Sequence, residues 1–490
     1  MKKLKILLSA ILASALSLSL FASCGGGTSS TDTTTTQAPA ATTTTQAAAS
    51  ADTTQAPADT TAAPSVSGNL NIWSFTNELQ TFALAFQKAH PEIKVQYTMI
   101  PMTDGEYQTK VQSAISSGQV PDVIGLEASF VKSYVESDML MDLTDLKPLA
   151  DQLQCYQFML DVGTYNGQLK GFTYQATPGA LFYRRSLAKE YFGTDDPVEI
   201  QKLLSDMDKF QQAAETVKQK SNGNTYMVCS TGDFTSPIYA NRQQPWVVDN
   251  KLTIDPQVDY LMNIAKTFRD NGYEAQATQW QEGWFAGMKD TLTDASGNPK
   301  KVFCYFLPTW GLPYVLMQNA PDTSGDWAMC NGPLPYSWGG TWMGVMNGAK
   351  NVDAAKEFIK FATLNEQTLK DWALGTYTNA YLKAIDPTIG DTQAQGAGDF
   401  VVSQKVVNEI TSQFDNAETS KYLGGQNNYK AFAETAPTIS LKLMQGTDDA
   451  IQRAFNDPLN NYVTGSATKE EALQQFKDAV RAEFPDLIIE

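Results

Sequence analysis

The stretch LNIWSFTNELQTFALAFQKAHPEIKVQYTMI, residues 70–100, decides the fold. Residues 70–75 read as a strand, after which Leu79, Phe82, Ala83 and Phe86 recur at helical spacing behind Thr76 and Asn77, both suited to cap a helix. Pro91 ends that helix, and residues 93–100 read as a second strand. A strand, an amphipathic helix and a second strand in such close succession open a β-α-β unit, which predicts an α/β protein with parallel strands and right-handed crossovers.

Working outward, Tyr107, Val111, Ala114 and Ile115 stripe a second helix stopped by Gly118, and residues 120–126 form a third strand. Ligands of open parallel sheets sit beyond the carboxyl ends of the strands, so position alone nominates loops 74–78, 102–104 and 127–130 as cleft-facing. Further along, residues 165–167 signal a turn, 169–174 another strand and 200–219 one long helical region. Asn271-Gly272 and residues 294–298 are turns, and the D-A-S-G-N of the latter imitates a calcium loop only weakly because its glycine is misplaced. Residues 354–361 and 469–484 show helical periodicity with exposed charges, and nothing in the body of the chain predicts a transmembrane helix.

The amino-terminal direction is different in kind. Lys2, Lys3 and Lys5 precede an apolar run broken only by serines, then Ala22, Ser23 and Cys24, the architecture of a secretory leader over residues 1–23. The tract L-F-A-S-C at 20–24 resembles a bacterial lipobox, with Phe21 where that pattern usually has leucine, and the resemblance implies lipidation of Cys24. Residues 24–68 then form a tether of Gly, Thr, Ala, Ser, Gln and Pro in which T-T-Q-A recurs at Thr35, Thr44 and Thr53. Such composition cannot bury enough apolar surface to offset its ordering entropy, and a coil of about 40 residues reaches roughly 35–40 Å.

Composition bounds the function. The chain has 490 residues and 42% hydrophobic positions, enough for two lobes with substantial cores. Its formal charge of −17 repels nucleic acid and anionic lipid, so neither is an expected partner. The sole histidine, His90, leaves a Ser-His-Asp arrangement or a two-histidine metal site almost nothing to draw on, and its place before Pro91 gives it a structural role. Asp195-Asp196 and Asp448-Asp449 are adjacent rather than opposed, and read as surface turns. Cys155, Cys229, Cys304 and Cys330 lack metal-like spacing. Cys304 with Cys330 would close a modest loop, but four cysteines allow three complete pairings and buried free thiols are an equal alternative.

L-N-I-W-S at 70–74, P-E-I-K-V at 91–95 and S-G-Q-V-P-D-V-I at 117–124 together resemble the extracellular sugar-binding proteins of bacterial ABC transporters, solute-binding family 1. So do Y-N-G-Q-L-K-G-F at 165–172, A-L-F-Y at 180–183 and A-K-N-V-D-A-A-K-E-F-I-K-F at 349–361. The resemblance covers nearly all of residues 69–490. It implies a two-lobed, type II periplasmic-binding-protein-like fold of the maltose-binding type with three hinge crossings. One lobe would span 69–175 plus 333–374, the other 176–332 plus 375–490. It further implies a monomer without enzymatic activity, cofactor, metal or catalytic residue. Such a protein captures a carbohydrate, here an oligosaccharide, and delivers it to transmembrane permease subunits, touching the membrane only through its lipid anchor on the extracellular face.

A neutral sugar offers apolar C–H faces and a ring of hydroxyls, so its site needs flat aromatics with groups that donate and accept. F-L-P-T-W-G at 306–311 is similar to the family's strand-end segment, which makes Trp310 the foremost candidate, and S-W-G-G-T-W-M-G at 337–344 adds Trp338 and Trp342. Trp284, beside Gly283, joins them. By the same resemblance Asn77 and Glu78 at the first helix, Glu127 after the third strand, Tyr174 and Gln175 at the first crossing, Phe234 in a second-lobe loop and Tyr429 in a late turn face the ligand. Competing readings are a receptor for a cationic ligand such as a polyamine, since Trp faces and carboxylates also hold ammonium groups, a tethered two-carboxylate glycosidase, and a surface adhesin.

Overall fold

The computed structural model describes residues 67–390 and 396–490, so the leader, Cys24 and all of the tether but its last two residues lie outside the described residues. Strand β1 (Gly68–Ser74) leads through α1 (Asn77–Ala89), β2 (Ile93–Met99), α2 (Glu106–Ser117) and β3 (Val123–Glu127) into α3 (Ala128–Val135). The helical stripe is the packing face: Leu79, Phe82, Ala83 and Phe86 are all buried. Thr76 is the cap, its hydroxyl accepting the Leu79 N–H at 3.4 Å, and Asn77 is the first helical residue. His90 closes the same helix, its ring 4.5 Å from that of Phe86.

Strand β1 pairs in parallel with both β2 and β3. Further along come β4 (Phe172–Thr173), β5 (Gly179–Arg184), β6 (Cys304–Pro308), β7 (Trp327–Cys330) and β8 (Thr341–Val345). Strand β8 returns antiparallel between β3 and β4, giving a five-stranded sheet of order β2-β1-β3-β8-β4. Strand β5 is the centre of a second sheet, antiparallel between β6 and β7. Alternation splits its side chains between two cores: Leu181, Tyr183, Phe306 and Cys330 enter one, Ala180, Phe182, Tyr305 and Trp327 the other. A sheet buried on both faces has no polar side, so these strands read as unbroken apolar runs.

The chain passes between the sheets at 174–179 and returns at 336–340, and the first of these segments pairs with both the second and residues 400–402. Val402 donates to Tyr174 O at 2.9 Å and Ala176 to Phe400 O at 2.7 Å, while Gly179 donates to Tyr336 O at 2.7 Å and Trp338 to Thr177 O at 3.1 Å. Gly179 must be glycine because a Cβ there would stand 2.1 Å from the Tyr336 ring. The sequence expectation put the third crossing at 374/375. In the structure Tyr377 still packs on Phe82 of the first lobe, Trp372 donates to Asp399, and beyond residue 403 Lys405 and Glu409 still pair with Glu366 and Lys370 of that lobe.

Other differences have local causes. The expected strand 169–174 is two short pieces, Gln168–Leu169 and Phe172–Thr173, because Lys170 and Gly171 both donate to Gly163 O instead of continuing a ladder. The expected helix 200–219 is two, Pro197–Leu203 and Met207–Lys220, since Asp206 turns out of the helix to accept the Lys209 N–H at 2.9 Å. All four described cysteines are free. Cys304 on β6 and Cys330 on β7 flank β5, and two strand spacings of about 4.8 Å each hold their backbones beyond disulfide reach. Among the described residues no helix is long and apolar enough to cross a membrane.

Candidate ligand-binding site

A cavity of about 320 Å³ lies between the lobes. The junction of β3 and α3 contributes Glu127 and Ser129, the 336–340 crossing contributes Trp338, and β8 contributes Trp342. From the second lobe come Tyr239 and Arg242 around the end of the helix Thr235–Ala240, and Asp448 and Asp449 at the start of α4 (Asp448–Val463). Both lobes therefore build the site, with a crossing segment in its wall.

The lips meet beside it. Gly446 donates its N–H to Glu136 Oε2 at 3.0 Å, and the Ser133 hydroxyl donates to Gly446 O at 3.3 Å, joining α3 of the first lobe to the segment entering α4. Any Cβ at Gly446 would stand 2.8 Å from the Ser133 Cα, so contact requires glycine there.

The polar lining is strongly acidic. Glu127 accepts the Ser129 N–H at 2.8 Å and the Ser129 hydroxyl, while burial, helped by facing Asp449 across the cleft, pushes its carboxyl up. Asp448 is 5% exposed and pairs with the Arg242 guanidinium. Burial pushes Asp448 up to about 7 against the opposing pull of Arg242. Asp449 is raised by burial too, with Arg453 opposing at 2.9 Å.

Beside the cavity stands a cluster of tryptophans. Trp310 donates its indole N–H to Trp338 O at 3.0 Å, with the two rings 5.5 Å apart at 67°. Trp280 lies parallel to Trp310, 13° between planes and 6.2 Å between centroids, and edge-on to Trp338 at 5.7 Å. Trp284 underlies Trp280 at 5.0 Å and is fully buried, its indole N–H donated to Asp233 Oδ1 at 2.9 Å.

The structure thus gathers Glu127, Trp338 and Trp342 at the cavity, and Trp310 and Trp284 in the adjoining cluster. Trp342 is 1% exposed, anchored by its indole N–H to Met159 O at 3.2 Å. Asn77 and Glu78, half-buried at the start of α1, do not line the cavity. Four of the expected ligand contacts are core residues. Tyr174 packs on Phe82 and Trp372, and Gln175 donates to the Tyr174 hydroxyl at 3.2 Å, so both brace the crossing. Phe234 packs edge-on to Phe268 in the second lobe, and Tyr429 stacks at 3.8 Å on Phe414. Of the loops nominated by strand ends, only 127–130 supplies lining residues.

Sequence reasoning missed Tyr239, Arg242, Asp448 and Trp280. Asp448-Asp449 is not a surface turn but the first turn of α4, with Asp448 buried. Trp280 carries no flanking Gly or Pro, the signal by which the other tryptophans were found. Its backbone nevertheless sits at φ +66°, a conformation bulky residues rarely adopt.

Two lobes joined by paired crossing segments, with a cavity walled by both, define a hinged binding protein. Residues 81–394 match the bacterial extracellular solute-binding protein family, and the chain belongs to that family: it is a binding protein, not an enzyme. It is similar to the arabinooligosaccharide-binding protein of Bacillus subtilis (strain 168), 22% identical over 331 residues, 61% of this chain and 70% of that protein. Its fold is shared with the sugar-binding protein MalE of Xanthomonas citri, TM-score 0.64 at 16% identity, covering 85% of this chain and 97% of that one. The galacto-N-biose-/lacto-N-biose I-binding protein of a Bifidobacterium longum ABC transporter, in complex with lacto-N-biose, superposes with TM-score 0.60 at 16% identity over 87% of this chain and 100% of that one.

Proposed function

We propose that this chain captures a short neutral oligosaccharide between its lobes and delivers it to the permease subunits of an ABC transporter. The observation that carries the reading is the cavity itself, which is lined by Trp338 and Trp342 together with carboxylates contributed by both lobes. A volume of about 320 Å³ stands at the small end of the roughly 300–1,000 Å³ usual for ligand pockets, which favours a short saccharide over a long chain. Family membership, the arabinooligosaccharide-binding relative and the lacto-N-biose complex of a protein with this fold support the same class. Ligand contacts from both lobes shift a hinged equilibrium towards the closed form, which the permease then reads. A diacylglyceryl group on Cys24 holds the protein, as a monomer, at the outer face of the cell membrane, and residues 25–68 give it reach.

Thermal unfolding in the presence of arabinotriose, lacto-N-biose, other neutral oligosaccharides and spermidine tests the reading, because a ligand that binds only the folded state raises its midpoint. A rise with a neutral oligosaccharide is the expected result. A rise with spermidine alone would replace sugar by a polyamine.

A further inference from the structure

Between the short turn of helix Ala436–Thr438 and the start of α4 the chain runs through residues 439–447 without helix or strand. Ser440, Leu441, Leu443, Met444 and Gln445 of this run all line the interlobe cavity. Irregular segments are usually the mobile parts of a fold, yet this one is fastened along its length. Ile439 is buried at its start and Asp448 just past its end. Met444 donates its N–H to Leu441 O at 3.1 Å, closing a turn, and Arg242 Nη2 donates to Leu443 O at 2.7 Å. The Gln445 amide accepts the Val247 N–H at 2.9 Å and donates to Val247 O at 2.7 Å, holding that backbone as a neighbouring strand would.

Those bonds tie the run to the second lobe, and the next residue reaches the first. Gly446 donates its N–H to Glu136 and accepts the Ser133 hydroxyl on its carbonyl. The segment is therefore a strap fixed on both sides of the cleft, and it gives way to a larger ligand only by breaking these bonds and parting the lobes. Two of its lining residues add bulk without recognition. Leu441 and Met444 are half-buried and packed on the core that includes Trp342. Leucine has no group to meet a sugar hydroxyl and a thioether only a weak acceptor, so both act on a saccharide chiefly by occupying space.

We propose that residues 440–446 are a size-limiting strap in which Leu441 and Met444 are the stops that set the longest saccharide the cavity admits. The proposal rests on the carbohydrate reading above and narrows its ligand class to chains of very few units.

The readout is the ratio of affinities for a short and a long member of one saccharide series. A residue that merely supports the fold weakens both alike and leaves the ratio where it was, whereas a steric stop moves the ratio. Calorimetric titration of the parent protein, of the double variant Leu441→Ala/Met444→Ala and of Glu136→Ala uses arabinobiose, arabinohexaose, galactobiose, galactohexaose and spermidine. Glu136 does not line the cavity, so Glu136→Ala unfastens the strap from the first lobe without changing the lining, and it carries the test by itself if the double variant does not fold. The expected result is a parent that binds the two-unit member of a series about tenfold or more tightly than the six-unit member. In both variants that ratio falls about fivefold or more, through tighter binding of the long chain relative to the short one. A parent that binds a six-unit chain as tightly as its two-unit counterpart, or a ratio that the variants leave unchanged, overturns the proposal and leaves the carbohydrate reading standing. Binding of spermidine with no saccharide bound overturns both.

Discussion

Asp122 shows how a single buried residue explains a motif. It ends the S-G-Q-V-P-D run at 3% exposure, and its carboxylate accepts the N–H groups of Asn71, Lys350 and Asn351 at 2.8–2.9 Å, tying β1 to the start of the helix Val352–Thr363. Asp122→Ala strands three backbone donors and should cost about 2–4 kcal/mol in a urea titration. Asp233 governs a pH effect. It is 2% exposed, and burial pushes it up to about 7 although Trp284, Ser230 and Gln279 donate to it. A carboxyl raised on folding contributes stability that is complete below its ordinary value of 3.8 and lost as pH climbs through about 7. The parent's unfolding midpoint should therefore fall between pH 4 and pH 7.5, with a shallower fall in Asp233→Asn. The sequence made Glu127, Trp338 and Trp342 legible because strand ends and glycine-flanked tryptophans are local signals. It hid Asp448, since an acidic pair reads as surface until a partner such as Arg242, 206 residues away in sequence, is placed beside it.

At the scale of elements, the opening β-α-β unit was readable to within a few residues because every stripe position on α1 is buried. Breaks were less readable. Asp206 ends one helical run and starts another with a hydrogen bond that no periodicity reports, and the pairing of 174–176 with 400–402 follows no turn signal. The tryptophan cluster is likewise a tertiary product, since Trp280 gains its neighbours only when the 278–284 segment is held on Asp233 through Gln279 and Trp284. Trp338→Ala should weaken oligosaccharide binding by about tenfold, or 1.4 kcal/mol, with the unliganded fold retained, as read by titration calorimetry and circular dichroism. The contact between α3 and Gly446 makes a separate prediction. Gly446→Ala introduces a methyl 2.8 Å from the Ser133 Cα and should raise Kd about tenfold or more by depopulating the closed form, while small-angle scattering reports a larger radius of gyration.

For the whole molecule, the −17 charge is retained after removing the leader's three lysines and the tether's three aspartates, so the acidity belongs to the folded lobes. Part of it is concentrated in the cavity, where Glu127 and Asp449 face one another from opposite lobes and each carboxyl is raised by burial. Two-lobed architecture was legible from the order of family motifs along residues 69–490, while the position of the cavity depends on how two sheets are set against each other and is written in no single stretch. Cys24→Ser should release the protein from the cell surface into the medium, measured by fractionation and immunoblot. Most directly, a crystal structure grown with the oligosaccharide that gives the largest thermal shift tests the central claim. The account predicts saccharide density between the lobes, against Trp338 and beside Glu127. Density on an outer surface with that cavity holding only water would contradict it.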